Sequence, residues 1–153
     1  MLAEFWSEYG SMLAGGCGIT LYMTLVSALL AYVLGIPMGI ILVVTRPGGL
    51  KACRPVYKIM DVIVNIVRSI PFLILLIMIM PMTRLIVGKS YGSTATIVPL
   101  VVSAAPFIAR MVESSLLEVD AGVIEAAQSM GATDMTIVFK VMMVEARTSL
   151  IVG

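Results

Sequence analysis

Apolar residues run in long charge-free blocks, unlike the short alternation of a half-buried strand. Three blocks approach the roughly 20 residues that carry a helix across a ~30 Å hydrocarbon core. Residues 9–45 contain no Asp, Glu, Lys or Arg. Gly15, Gly16 and Gly18 are expected to break the start of this block, leaving a segment over residues 1–19 and a first span over 20–44, kinked by Gly35, Pro37 and Gly39. A second span is expected over residues 62–82, through the apolar run between Ile70 and Pro81, and a third over 90–110, between Lys89 and Arg110. Pro99 and Pro106 lie inside the third. Prolines at such positions are tolerable where neighbouring helices re-satisfy the freed backbone groups, so the pattern predicts an all-α, polytopic transmembrane helical bundle.

Beyond residue 110 charged residues interleave with small and apolar ones, too densely for a span: Glu113, Glu118, Asp120, Glu125, Asp134, Lys140 and Glu145. Residues 111–147 therefore read as helices outside the hydrocarbon. Asp120 is placed to cap a helix that Gly131 would end in the left-handed conformation, and Thr133 to cap the next. On that second helix Met135, Val138 and Met142 are expected to share an apolar face, with Val141 beside them. Apolar residues resume at 148–153 like the start of a fourth span, so the chain is expected to be the front part of a longer protein.

Composition narrows the chemistry. Of 153 residues 60% are hydrophobic and 12% charged, far from a soluble domain, and a net charge of +1 offers nothing for nucleic acid to bind. The absence of histidine excludes Ser-His-Asp and Cys-His catalysis and imidazole metal sites. Membrane lipid is the expected surrounding. Arg46, Lys51, Arg54 and Lys58 follow the first span, Arg84 and Lys89 the second, and Arg110, Lys140 and Arg147 the third, whereas residues 1–19 carry no Lys or Arg. The positive-inside rule then puts the N-terminus outside and residues 111–147 in the cytoplasm. The N-terminus lacks the charged stretch and cleavage site of a secretory signal, so the first span is expected to persist. Cys17 and Cys53 fall on opposite sides of the bilayer and cannot pair.

Glu125-Ala126-Ala127-Gln128-Ser129-Met130-Gly131-Ala132, with Val141 about ten residues on, resembles the EAA loop of binding-protein-dependent ABC importer permeases. Thr45-Arg46-Pro47-Gly48, Asn65-Ile66-Val67-Arg68-Ser69-Ile70-Pro71-Phe72 and Ala104-Ala105-Pro106-Phe107-Ile108-Ala109-Arg110 extend the similarity to methionine-type importer permeases from about Thr20 onward. The resemblance implies a type I ABC importer permease fold over residues 20–153, in a homodimer with two copies of a separate ATPase and an extracytoplasmic substrate-binding lipoprotein. It implies that Glu125, Ala126, Ala127, Gly131 and Ala132 form the ATPase-coupling element, that the substrate is an amino acid, methionine in particular, and that ATP and Mg bind only to the partner. The chain departs from the pattern at Asp120 and Asp134, where proline is common, and at Met143-Val144, where Leu-Pro would bend the chain into the next span.

Arg68 sits inside the second expected span, and Asp61, two turns earlier on the same face, with Asn65 between, is its expected partner in a polar network or an inner gate on the translocation path. Gly88-Lys89-Ser90 matches the end of a phosphate-binding loop, but Thr83 stands where the first glycine belongs, so no nucleotide site is expected in this chain. The 13 methionines, and small residues such as Gly35, Gly39, Ser103, Ala104 and Ala105, are read as packing residues. The other functions consistent with the pattern are a secondary carrier or channel and a membrane scaffold that recruits a cytoplasmic partner.

Overall fold

The computed structural model describes residues 2–152, with side chains from Tyr9 onward. Helix α1 (Leu2–Thr45) is followed by α2 (Arg54–Ser69), α3 (Phe72–Val87) and α4 (Ser93–Leu117). Then come α5 (Ala121–Ser129), α6 (Asp134–Thr136), a π-helical turn (Ile137–Met142), α7 (Met143–Glu145) and α8 (Arg147–Val152). The described residues contain no strand. Two helices, Tyr9–Thr45 within α1 and Ser93–Leu117, are long and apolar enough to cross a membrane, and the bent pair α2 and α3 together would make a third.

Three boundaries differ from those expected. Gly15, Gly16 and Gly18 do not interrupt α1, and no separate segment precedes residue 20 among the described residues. Interior glycine costs a helix about 1 kcal/mol against alanine, but it keeps its N–H and clashes with nothing, so a long apolar helix absorbs it. Pro37 likewise lies within the continuous helix. The expected span 62–82 is two helices that start earlier, at Arg54, and are bent by 114° at Ile70-Pro71. The proline ring disfavours the α conformation at the preceding residue, and Ile70 is extended, with φ −82° and ψ 124°. The third span continues past Arg110 to Leu117, because Arg110 and Glu113 satisfy each other inside it.

The main packing is α1 against α4, and it is built from small residues. A Cβ on Gly35 would stand 2.7 Å from Ile108 Cβ and 2.9 Å from the Ala105 carbonyl oxygen; one on Gly39 would stand 2.7 Å from the Ala109 carbonyl oxygen. Ala31 and Ser27, buried one and two turns before Gly35, complete a stripe at four-residue spacing, the arrangement that lets membrane helices approach closely. Leu42, Val64 and Ala109 pack together where α2 crosses α1 and α4.

Below that crossing one continuous core joins the membrane helices to the polar segment. Ala31 and Val43 of α1 and Ile108, Val112 and Leu116 of α4 share it with Val119, Ala127, Ile137, Val138, Met142 and Ala146. The expected face of the helix after Thr133 is shifted. Val138 and Met142 are buried as anticipated, but Met135 is exposed and Ile137 is fully buried in its place. The π turn carries i→i+5 bonds, which bring Ile137 onto the buried side with Met142, beside the series Val138, Met142 and Ala146 at four-residue spacing.

Candidate coupling segment and intramembrane ion cluster

Residues 120–132 form a short helix with both ends locked. Asp120 caps α5 by accepting a hydrogen bond from the Gly122 N–H at 2.7 Å. At the other end Gly131 adopts φ +78°, its N–H donates to the Gln128 carbonyl at 2.9 Å, and the Ala132 N–H donates to the Ala127 carbonyl at 3.1 Å. This pair of bonds is the Schellman closure, which needs a left-handed residue where glycine stands. Thr133 then caps α6 by accepting from the Thr136 N–H. Beyond it Ile137, Val138 and Met142 pack against α1 and α4.

The two alanines of the motif do different things. Ala127 is buried in the shared core, whereas Glu125 and Ala126 are exposed. Val123, Ala126 and Met130 recur at helical spacing on the outer face, and Met130 is 83% exposed. Past Gly131, Met135 and Phe139 are also exposed. Behind α5 a cavity of about 360 Å³ is lined by Arg46, Gly49, Leu50, Leu116, Ile124 and Glu125 among others. Arg46 and Glu125 both face it without forming an ion pair.

The second constellation lies at the α2–α4 crossing. Arg110 donates from Nη1 to Glu113 Oε2 at 2.6 Å, and from Nη2 to Asn65 Oδ1 at 3.0 Å and to Asp61 Oδ1. Glu113 is buried, and no buried side-chain polar atom among the described residues lacks a partner. Asp61 and Asn65 therefore serve Arg110, which corrects the expected pairing of Asp61 with Arg68. Arg68 is exposed, its guanidinium carbon 6.0 Å from the Phe107 ring centroid, a cation–π distance. The reason is geometric: α4 brings Arg110 onto the polar face of α2, and direct hydrogen bonds hold Asp61 there. Arg110 and Glu113 were missed as site residues because Arg110 read as the end of a span; their i,i+3 spacing on an otherwise apolar helix was the available signal. Cys17 and Cys53 are both free thiols.

A family model described as binding-protein-dependent transport system inner membrane component matches residues 31–153. The chain belongs to that family. Among characterised permeases it is 53% identical over 140 residues to the D-methionine transport system permease protein MetI of Yersinia pestis and 54% identical over 140 residues to that of Escherichia coli K12. In both cases the match covers 92% of this chain and 64% of the relative, so the chain spans less than two thirds of the length of the curated relatives it matches. A solved structure of the MetNI methionine ABC transporter in an inward-facing conformation superposes with a TM-score of 0.90 at 52% identity, covering 94% of this chain and 67% of that one. An amino acid ABC transporter at 23% identity and a TM-score of 0.61 shares the fold. This family places the chain in a membrane, as an all-helical bundle.

Proposed function

We propose that this chain is the membrane-spanning subunit of an ATP-driven importer that moves an amino acid, methionine in particular, across the inner membrane by alternating access. The observation that carries the reading is the coupling segment: α5 is capped at both ends, welded through Ala127 to the core of α1 and α4, and outwardly presents Glu125 beside an apolar stripe. A cytoplasmic ATPase gripping that face would move a rigid lever. Glu125 offers it a carboxylate for a basic side chain, and Ala126 allows close backbone approach. ATP and Mg bind in that partner, two permease copies form the pathway, and an extracytoplasmic lipoprotein delivers the substrate. The relatives of known name are methionine permeases, and the solved MetNI structure is a methionine ABC transporter.

A carrier or channel would use ionisable groups left free within its spans, whereas Arg110, Asp61 and Glu113 are engaged with one another. Uptake of labelled methionine into vesicles holding the full-length chain with its co-encoded ATPase tests the function, with ATP-dependent accumulation expected. Uptake that continues without the ATPase would overturn it. In intact cells, impermeant thiol reagents are expected to reach Cys17 and to miss a cysteine placed at Ser129; the reverse pattern removes the proposed topology, in which the N-terminus lies outside.

A further inference from the structure

Helix α2 has no role in the coupling lever, and its sequence is unlike that of the spans. Its apolar residues Val56, Ile59, Ile63 and Ile66 recur at intervals of three and four, so they form one stripe, and they are 40%, 60%, 46% and 55% exposed. Arg54, Lys58, Asp61, Asn65 and Arg68 occupy the opposite arc. Asp61 and Asn65 are tied to Arg110, and Val64 is buried against Leu42 and Ala109, which fixes this helix at the end of the bundle where α1 terminates at Thr45.

The bend sets its attitude. α3 is strongly apolar, ends in a glycine turn and packs along the first half of α4, with Leu76, Met80 and Thr83 facing Ala95, Thr96 and Pro99. With α3 along the membrane normal, a 114° bend at Ile70-Pro71 lays α2 close to the bilayer plane. A helix of 16 residues in that attitude, polar on one arc and apolar on the other, has the build of an interfacial helix and not of half a span.

Its basic end decides what covers it. Arg46, Lys51, Arg54 and Lys58 lie within thirteen residues at the end of a long apolar helix. Both ion pairs among the described residues belong to Arg110, so none of these four cations has a carboxylate partner. A surface that is apolar below, cationic at one end and unpaired matches a lipid leaflet bearing anionic headgroups, where each basic residue adds attraction that salt screens. We propose that α2 and the preceding loop form an anionic-phospholipid site in the cytoplasmic leaflet: Lys51, Arg54 and Lys58 engage headgroup phosphates while Val56, Ile59, Ile63 and Ile66 sink into the acyl layer. The leaflet assignment rests on the permease topology proposed above; the lipid contact itself rests on α2.

The test uses the full-length chain purified with its ATPase. Native mass spectrometry counts phosphatidylglycerol retained against phosphatidylcholine, for the wild type, for a neutral variant (Lys51→Gln, Arg54→Gln, Lys58→Gln) and for a charge-preserving one (Lys51→Arg, Arg54→Lys, Lys58→Arg). The neutral variant is expected to lose preference for phosphatidylglycerol by about fivefold per charge, and the charge-preserving variant to keep it. Spin labels at Ile59 and Ile63, in vesicles of phosphatidylethanolamine and phosphatidylglycerol, are expected to be more accessible to oxygen than to a water-soluble nickel reagent. Equal retention in all three proteins overturns the proposal, as do water-accessible labels. If the neutral variant instead sheds the ATPase while keeping the lipid, the cations serve a protein partner and the proposal also fails. Wild-type complex without methionine uptake would overturn the permease reading and leave the retention result standing.

Discussion

Gly131 is where a single side chain decides the path of the backbone. Its φ of +78° closes α5, and a Cβ there would meet no neighbouring atom within 4 Å, so the constraint is conformational and not steric. Gly131→Val should therefore cost about 1–2 kcal/mol through the left-handed strain alone, and the relief available to the chain is to unwind the Schellman turn. Assembly with the ATPase is expected to weaken or hydrolysis to run without uptake; wild-type values for both would show that the turn is not needed for coupling. Arg110 is the opposite case, a residue whose partners matter more than its backbone. Arg110→Met leaves Asp61 and the buried Glu113 facing each other uncompensated, a loss of about 3–5 kcal/mol. The triple variant that also carries Asp61→Leu and Glu113→Leu should recover much of it, read as melting temperature of the solubilised protein. Asp120 and Gly131 were legible from sequence because caps obey local rules. The partner of Asp61 was not, because two residues 49 apart in the chain meet only through the tertiary crossing.

At the scale of the element, glycine and proline behave differently. Gly15, Gly16 and Gly18 sit inside α1 without interrupting it, while Pro71 turns the chain at residue 70. The difference follows from what each does: glycine loosens a helix, whereas proline disfavours the helical conformation at the residue before it. Yet Pro37, Pro81, Pro99 and Pro106 all lie within helices. Pro71 succeeds as a breaker where α2 also has somewhere to go, because Val64 and Asp61 dock it on the crossing. Pro71→Ala should let α2 and α3 compete to become one helix. Spin labels at the exposed positions Lys58 and Leu85 report this directly: their separation is expected to shift toward the roughly 40 Å of an unbroken helix. No change would mean that docking on α4, and not the proline, holds the bend. The π turn was beyond reach of periodicity, since a pattern read at 3.6 residues per turn cannot announce a local change of period. Through Met143-Val144 the chain stays helical to Glu145, and α8 begins at Arg147 after a break at Ala146.

For the whole molecule the question is whether force on α5 can reach the spans, and the continuous core gives a physical answer. Apolar contacts run without interruption from Ala127 through Ile137, Val138 and Met142 to Leu116, Val112 and Ile108, and from there to Ala31 and Val43. Close-packed side chains resist compression, so under the proposed coupling a displacement of the outer face of α5 would be passed on as a tilt of α1 and α4. At Gly35 and Gly39 the two helices approach closely, the glycine backbones lying against the β-branched side chains of Ile108 and Val112 and the carbonyls of Ala105 and Ala109. Such a lever makes a prediction that a merely stabilising core would not. Ile137 is fully buried between α5 and the membrane helices, and Ile137→Ala opens a void there at a cost of about 2–5 kcal/mol. It leaves the exposed docking face untouched, so the ATPase should still bind and hydrolyse ATP. Loosened transmission is then expected to raise the ATP consumed per substrate moved, measured as the ratio of hydrolysis to uptake in the same vesicles. An equivalent void far from the path, from Leu75→Ala in α3, supplies the comparison: Leu75 is nearly as buried, yet it lies outside the core that joins α5 to α1 and α4. If both variants lower uptake and hydrolysis in proportion, the core holds the protein together without transmitting the stroke.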